Sequence, residues 1–296
     1  MRGPRHKHLL SRDDPWMQVL DLESKATRFE TKSGGGAAKV VWHRWGSGHP
    51  VVLLHGGGGS WTHWLRTIPA LMPHFTLWVP DLPGYGDSDL PHGLLGYDDL
   101  SDALADGAAE LLPPGSHFEL VTFSFGGQLA VHFARRFPER LRKLVLSGSN
   151  IIEPMGKGGL PYKNWKKAAT EAERDEAIRH NLLEIMLHDP ARLDDFAMRL
   201  QKDNLARQRL SPITLSGHRA LCDMLAELPP KVKLAGINGD NDFIIRGRLE
   251  KQAEAYKRFR PDAEFRIIPT GSHWLMYDAA EEYNQALLEI LESRAA

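Results

Sequence analysis

The sequence predicts an α/β fold: a mostly parallel central sheet flanked by helices, carrying a helical insertion. Three observations predict it. Short uninterrupted apolar runs recur along the chain, as strands covered on both faces require. Segments with apolar residues at helical spacing lie between them. A charged, strand-free stretch then breaks the alternation between about residues 151 and 230.

Residues 1–26 read as a loosely ordered N-terminal tail, partly helical around Trp16–Leu22. Two early strands follow, near Thr27–Thr31 and Ala38–Trp45, separated by the turn-rich run Ser33-Gly34-Gly35-Gly36. Pro50–Leu54, Phe75–Val79, Phe118–Val121, Leu144–Leu146, Leu234–Ile237 and Phe265–Ile268 supply the buried strands. Helices are expected at Trp64–Leu71, Leu100–Leu112, Gln128–Phe137, Leu249–Phe259 and Ala279–Glu292. Between the strands near 146 and 234, helical patterns at Trp165–Met186 and Ala191–Arg209 are punctuated by Pro190 and Pro212. The core thus comprises residues 27–150 and 231–296, and residues 151–230 form the insertion. It leaves the core at the carboxyl edge of the sheet, where ligand crevices of such sheets lie, so it is expected to cap the site.

Composition narrows the partners. Of 296 residues, 42% are apolar and 25% charged, and the formal net charge is −1, which gives no electrostatic case for nucleic acid or an acidic membrane surface. No apolar stretch approaches the ~20 residues that span a bilayer. The basic N-terminus is followed only by Leu9-Leu10, too short for a secretory signal. The single cysteine, Cys222, precludes an intramolecular disulfide and fits a reducing, cytoplasmic location. A homo-oligomer is compatible with the sequence.

Four segments at strand ends carry chemistry. Thr122-Phe123-Ser124-Phe125-Gly126-Gly127 lies between an apolar strand run and a helical one. A serine on so sharp a turn projects its hydroxyl above the sheet, beside the N–H groups of a helix N-terminus. Thr122 stands where a small residue is usual, and a β-branched side chain there is expected to strain the turn. After Val51–Leu54 comes His55-Gly56-Gly57-Gly58-Gly59-Ser60-Trp61, whose glycines can aim N–H groups at a developing oxyanion. Gly57 and Phe125 are the expected N–H pair. No Lys-Ser/Thr follows to make a phosphate loop. After Leu234–Ile237, the run Gly239-Asp240-Asn241-Asp242-Phe243 offers two carboxylates, of which Asp242, further into the loop, is preferred. Its spacing is not that of a calcium loop. Finally Gly271-Ser272-His273-Trp274 follows Phe265–Ile268 and supplies a base. Ser124, Asp242 and His273 thus form a candidate catalytic set in chain order, and Gly58, Phe123 and Trp274 adjoin it as candidate substrate contacts.

With His55-Gly56-Gly57-Gly58, Asp81-Leu82-Pro83-Gly84-Tyr85-Gly86-Asp87-Ser88, the Ser124 turn, Gly239-x-x-Asp242 and Gly271-Ser272-His273, the chain resembles the cap-bearing branch of the α/β-hydrolase fold superfamily across residues 27–294. The resemblance implies a serine hydrolase: His273 takes the Ser124 proton, Asp242 orients the imidazole, and an acyl-enzyme forms on a small, apolar carbonyl substrate, most simply a carboxylic ester. No metal or organic cofactor is implied. Asp81–Ser88 is a strand-end turn in that superfamily, read as architectural. The glycine run and the His273-Trp274 pair are also similar to those of meta-cleavage-product hydrolases, which cleave carbon–carbon bonds of vinylogous diketones. Those enzymes commonly carry Asn before the nucleophile, where this chain has Phe123, and they use a cap arginine, for which Arg199 and Arg207 are candidates. A ligand-binding or signalling protein on the same scaffold is the alternative outside enzymes.

Overall fold

In the computed structural model, residues 11, 13–33, 38–91, 93, 96–152, 161–211, 215–217 and 219–293 are described. The elements run α1 (Met17–Ser24), β1 (Thr27–Ser33), β2 (Ala38–Trp45), β3 (His49–Leu54), a 3-10 turn (Trp61–Trp64), α2 (Ile68–Leu71), β4 (Phe75–Pro80), α3 (Tyr97–Leu111), β5 (Phe118–Phe123), α4 (Phe125–Arg135) and β6 (Leu141–Ser147). After β6 come α5 (Glu171–Asn181), a π-helical turn (Leu182–Leu187), a 3-10 turn (Pro190–Arg192), α6 (Asp195–Ala206) and α7 (Leu221–Leu225). The chain ends with β7 (Lys233–Gly239), α8 (Leu249–Phe259), β8 (Glu264–Ile268), α9 (Leu275–Asp278) and α10 (Ala280–Glu292).

The sheet has eight strands in the order β1-β2-β4-β3-β5-β6-β7-β8. β1–β2 and β2–β4 pair antiparallel, and every pairing from β4 to β8 is parallel. The apolar runs are continuous because both faces are covered. Successive strand residues point to opposite sides, so Val51, Leu53, Val121, Val145, Ala235 and Ile237 pack with α9 and α10 in one layer. Val52, Leu54, Leu120, Leu144, Leu146 and Leu234 pack with α3 and α4 in the other.

Several boundaries differ from those the sequence predicts, for local reasons. The helix expected at Trp64–Leu71 divides into a 3-10 turn, capped by the Ser60 hydroxyl, and a short helix with Pro69 in its first turn. α4 starts at Phe125, so the glycines lie inside its first turn rather than ahead of it. Trp165–Met186 is not one helix: Thr170 and Glu173 form a capping box that starts α5, worth about 1 kcal/mol, and the π-helical turn ends at His188, where φ is +48°. Asp194 caps α6 through the Ala197 N–H, which sets its start five residues past Pro190.

The helix expected around Trp16–Leu22 is present at residues 17–24, but it is packed on the core rather than loosely ordered. These residues form α1, whose Val19 and Leu22 are buried in the core beside Trp16. The Trp45 indole N–H donates to the Leu22 carbonyl at 2.8 Å and fixes the helix to β2. Residues 1–10 and 12, and the glycines of the turn before β2, lie outside the described residues.

Candidate active site

Ser124, His273 and Asp242 converge at the carboxyl edge of the sheet, after β5, β8 and β7. The Ser124 Oγ lies 2.9 Å from His273 Nε2. His273 Nδ1 lies 3.0 Å from each Asp242 carboxylate oxygen. Ser124 takes φ +48° and ψ −112°, a strained conformation for a residue with a Cβ, and it is partly exposed. Asp242 and His273 are buried. Asp242 Oδ1 also accepts the Ile244 N–H at 2.9 Å, which aims the carboxylate. Asp240, the competing carboxylate, bonds to the Asn241 amide at 3.0 Å and not to His273.

The Asp242 and His273 loops are joined by a close backbone approach. A Cβ on Gly239 would lie 2.0 Å from the Gly271 carbonyl oxygen, and that same oxygen accepts the Asn241 N–H at 3.0 Å. Only glycine fits at 239. Gly126 is constrained similarly, since a Cβ there would sit 2.7 Å from the Leu54 carbonyl oxygen and 2.8 Å from that of His55. Gly126→Ala is expected to cost roughly 1–3 kcal/mol of stability by overpacking, with a fall in turnover as Ser124 moves. Thermal denaturation and steady-state rates check it, and wild-type values for both would contradict it.

Thr122 does not strain this turn. It sits in regular strand pairing opposite Leu54 and Leu146, where β-branched residues pack well. The positive φ belongs to Ser124.

Phe125 is the first residue of α4, so its N–H has no acceptor within the helix. Its ring packs against Tyr85 and Tyr97. The glycine loop lies opposite, held at its base by histidines. Leu82 N–H donates to His55 Nε2 at 2.9 Å, so the proton of that ring is on Nδ1 and is donated to the Gly56 carbonyl. Burial lowers the His55 pKa to about 4 and keeps the ring neutral. His63 accepts the Gly56 N–H at Nδ1, 3.3 Å away, and burial, with smaller contributions from His55 and His273, holds its pKa well below the usual histidine range.

Phe123 and Trp274 are fully buried. Phe123 packs against the rings of His273 and His63, while Trp274 packs against His63 and Tyr277 and donates its indole N–H to the His63 carbonyl. They form the wall behind His273. Gly58, by contrast, faces α6: a Cβ there would meet Leu205 at 3.4 Å and Gln201 at 3.5 Å. Asp81 is buried, with its carboxylate accepting the Trp61 and Asp87 N–H groups at 2.9 and 2.8 Å. Those bonds tie the Asp81–Ser88 turn to the glycine loop.

Sequence reasoning missed the contacts made by the insertion. The Met186 carbonyl accepts the Trp274 N–H at 2.8 Å, and the Leu187 carbonyl accepts the Ser272 hydroxyl at 2.6 Å. Ser60 and Thr62 hydroxyls lie 2.7 and 3.1 Å from Asn204 Oδ1. The only signal for them is the helical spacing of Gln201, Asn204 and Leu205. Of the two candidate cap arginines, Arg199 pairs with Asp14 at 2.9 Å and stacks on Trp16. Arg207 pairs with Asp87 at 3.1 Å and Asp203 at 2.9 Å.

Asp278 anchors the His273 loop by accepting the Ser272 N–H at 3.1 Å. Burial pushes its carboxyl up to about 6 from 3.8. The folded state therefore favours the protonated acid. Its stabilising contribution is complete below pH 3.8 and is lost as pH rises through about 6. Asp278→Asn, which mimics the neutral acid, should gain stability relative to wild type across that window, on the order of 3 kcal/mol at pH 7. Paired melting curves from pH 4 to 8 check it, and a difference that stays flat with pH would contradict it.

No group of metal-ligating side chains occurs among the described residues, and no described helix is long and apolar enough to cross a membrane. An eight-stranded, mostly parallel sheet with a Ser–His–Asp chain at its carboxyl edge is the architecture of the α/β hydrolases. The chain belongs to the alpha/beta hydrolase family, whose profile matches residues 51–286. It is 39% identical over 120 residues to the 2-hydroxy-6-oxo-2,4-heptadienoate hydrolase of Pseudomonas putida, a match spanning 38% of this chain and 42% of that protein. It is 25% identical over 298 residues to the 2-hydroxy-6-oxo-6-phenylhexa-2,4-dienoate hydrolase of Burkholderia cepacia, covering 91% of this chain and 97% of the relative. Among solved structures, the Bacillus subtilis carboxylesterase CesB superposes with a TM-score of 0.71 at 19% identity, covering 94% and 96% of the two chains.

Proposed function

We propose that the protein is a serine hydrolase that cleaves a small, apolar carboxylic ester through an acyl-enzyme. The single observation that carries this reading is the Ser124–His273–Asp242 chain, with the serine presented on a strained turn. His273 Nε2 takes the Ser124 proton as Oγ attacks the ester carbonyl, and Asp242 holds the Nδ1 proton and stabilises the imidazolium. The Gly57 and Phe125 N–H groups receive the oxyanion. Collapse of the tetrahedral intermediate expels the alcohol, which takes the proton from His273. Water, deprotonated by His273, then attacks the acyl carbon and releases the acid and Ser124. Residues 151–230 act as a cap, since their described part bonds to both the glycine loop and the His273 loop.

A second reading, hydrolysis of a carbon–carbon bond in a vinylogous diketone, is favoured by the names of the two relatives. We rank it second for two reasons. Phe123 stands before the serine where the carbon–carbon hydrolases commonly carry Asn. Arg199 and Arg207 are both paired with carboxylates of this chain, so neither offers an unpaired cation to the carboxylate of a dienoate. Steady-state kinetics with p-nitrophenyl esters of two to eight carbons, beside 2-hydroxy-6-oxo-6-phenylhexa-2,4-dienoate, tests the choice. The ester reading expects kcat/KM at least tenfold higher for the best ester. The reverse order selects carbon–carbon cleavage, and ligand binding without turnover of either class selects a binding protein.

A further inference from the structure

The glycine loop has a property the mechanism depends on and its own sequence cannot supply. Gly56–Gly59 is four glycines in succession, with almost no side-chain restraint on backbone rotation. An oxyanion donor contributes only if it is fixed where charge will develop. The donor N–H must therefore be held by groups outside the loop.

Two side chains hold it. At the near end, the Gly56 N–H donates to His63 Nδ1 at 3.3 Å. At the far end, the Gly58 carbonyl accepts the Gln201 Nε2–H at 3.2 Å, with Gly58 at φ +67°. Gly57 lies between the two tethers. His63 belongs to the core, whereas Gln201 comes from α6 of the insertion, so the loop is closed only when α6 is seated. That seat is broad: Leu205 packs over Gly58 from the same helix face, and Asn204 engages the Ser60 and Thr62 hydroxyls.

The orientation of the Gln201 amide is determined, because only its NH₂ can donate to a carbonyl. The amide oxygen is then left buried with no partner among the described residues. A purely packing role at this position would be served better by an apolar side chain of equal length, which leaves no buried acceptor unpaired. The geometry points to Gln201 as a positioning residue: through the Gly58 carbonyl it fixes the Gly57 N–H for the oxyanion, and it makes that alignment conditional on the docking of α6. This rests on the ester-hydrolase reading above.

Gln201→Met keeps length and removes the donor, and Gln201→Glu keeps shape and presents an acceptor to the Gly58 carbonyl. Both are to be compared with wild type in four measurements: the rate of labelling by a fluorophosphonate, kcat and KM for p-nitrophenyl butyrate, inhibition by a short alkyl trifluoromethyl ketone, and melting temperature. A trifluoromethyl ketone forms a tetrahedral oxyanion on serine and reports the donor directly. Complete loss of one donor costs about 10²–10³-fold in rate, so loosening it should cost about tenfold. Labelling, kcat and trifluoromethyl ketone affinity should fall together by that factor, with KM within about twofold. Wild-type labelling and kcat in both variants, or a loss confined to KM or melting temperature, would overturn the positioning role and leave the hydrolase reading intact. Failure of wild type to label would remove both.

Discussion

Ser124→Ala is expected to lower turnover by roughly 10⁴–10⁶-fold while leaving the melting temperature within a few degrees of wild type. Alanine keeps the Cβ, and therefore the strain, that serine already carries at φ +48°. The substitution removes one oxygen atom that is partly exposed and bonded to His273. Neither packing nor turn conformation should change, so the rate isolates the proposed nucleophile. Near-native turnover from a folded variant would transfer the chemistry to another group.

Asp242→Asn should cost on the order of 10⁴-fold, and Asp240→Asn less than about fivefold. Asp242 is fully buried, and both of its oxygens reach the Nδ1 of His273. An amide there can turn its NH₂ toward Nδ1, which drives the imidazole proton onto Nε2. Nε2 can then no longer accept the Ser124 hydroxyl proton. Asp240 bonds to the neighbouring Asn241 amide, so its loss leaves the tautomer unchanged. Steady-state kcat/KM of the two variants checks the contrast. Equal losses, or a larger one at Asp240, would move the acid.

What the sequence made legible follows from which forces are local. Each expected site residue comes directly after an apolar run, and in a parallel sheet every such run must end at the same edge. Ser124, Asp242 and His273 could therefore be brought together before any contact was known. The preference for Asp242 over Asp240 had the same origin, since two further residues carry the chain away from the strand end. The elements of the insertion were harder. Thr170 and Asp194 decide where α5 and α6 begin through single capping bonds, and the helical periodicity on either side does not register them. The helix around Trp16–Leu22 was legible but its burial was not, because Trp16, Val19 and Leu22 make too short a pattern to mark a core face, and only the surface of the folded core gives them a place to pack.

The tertiary contacts of the insertion were legible only as the helical spacing of Gln201, Asn204 and Leu205, which names no partner for them. Nothing in the sequence distinguishes Gln201 from the other polar residues of a charged helix, since its role depends on a carbonyl 143 positions away. Arg199 and Arg207 were candidates for a substrate carboxylate on residue type alone. Their partners, Asp14 from the N-terminal segment and Asp87 from the turn after β4, are remote in sequence and cannot be paired with them by spacing.

Whether Ser124 is an activated nucleophile is decided by mass spectrometry of the protein after incubation with a fluorophosphonate. One covalent adduct per chain is expected, mapped to the peptide carrying Ser124 and absent from Ser124→Ala. No adduct on a folded protein, or an adduct that persists in Ser124→Ala, would contradict it.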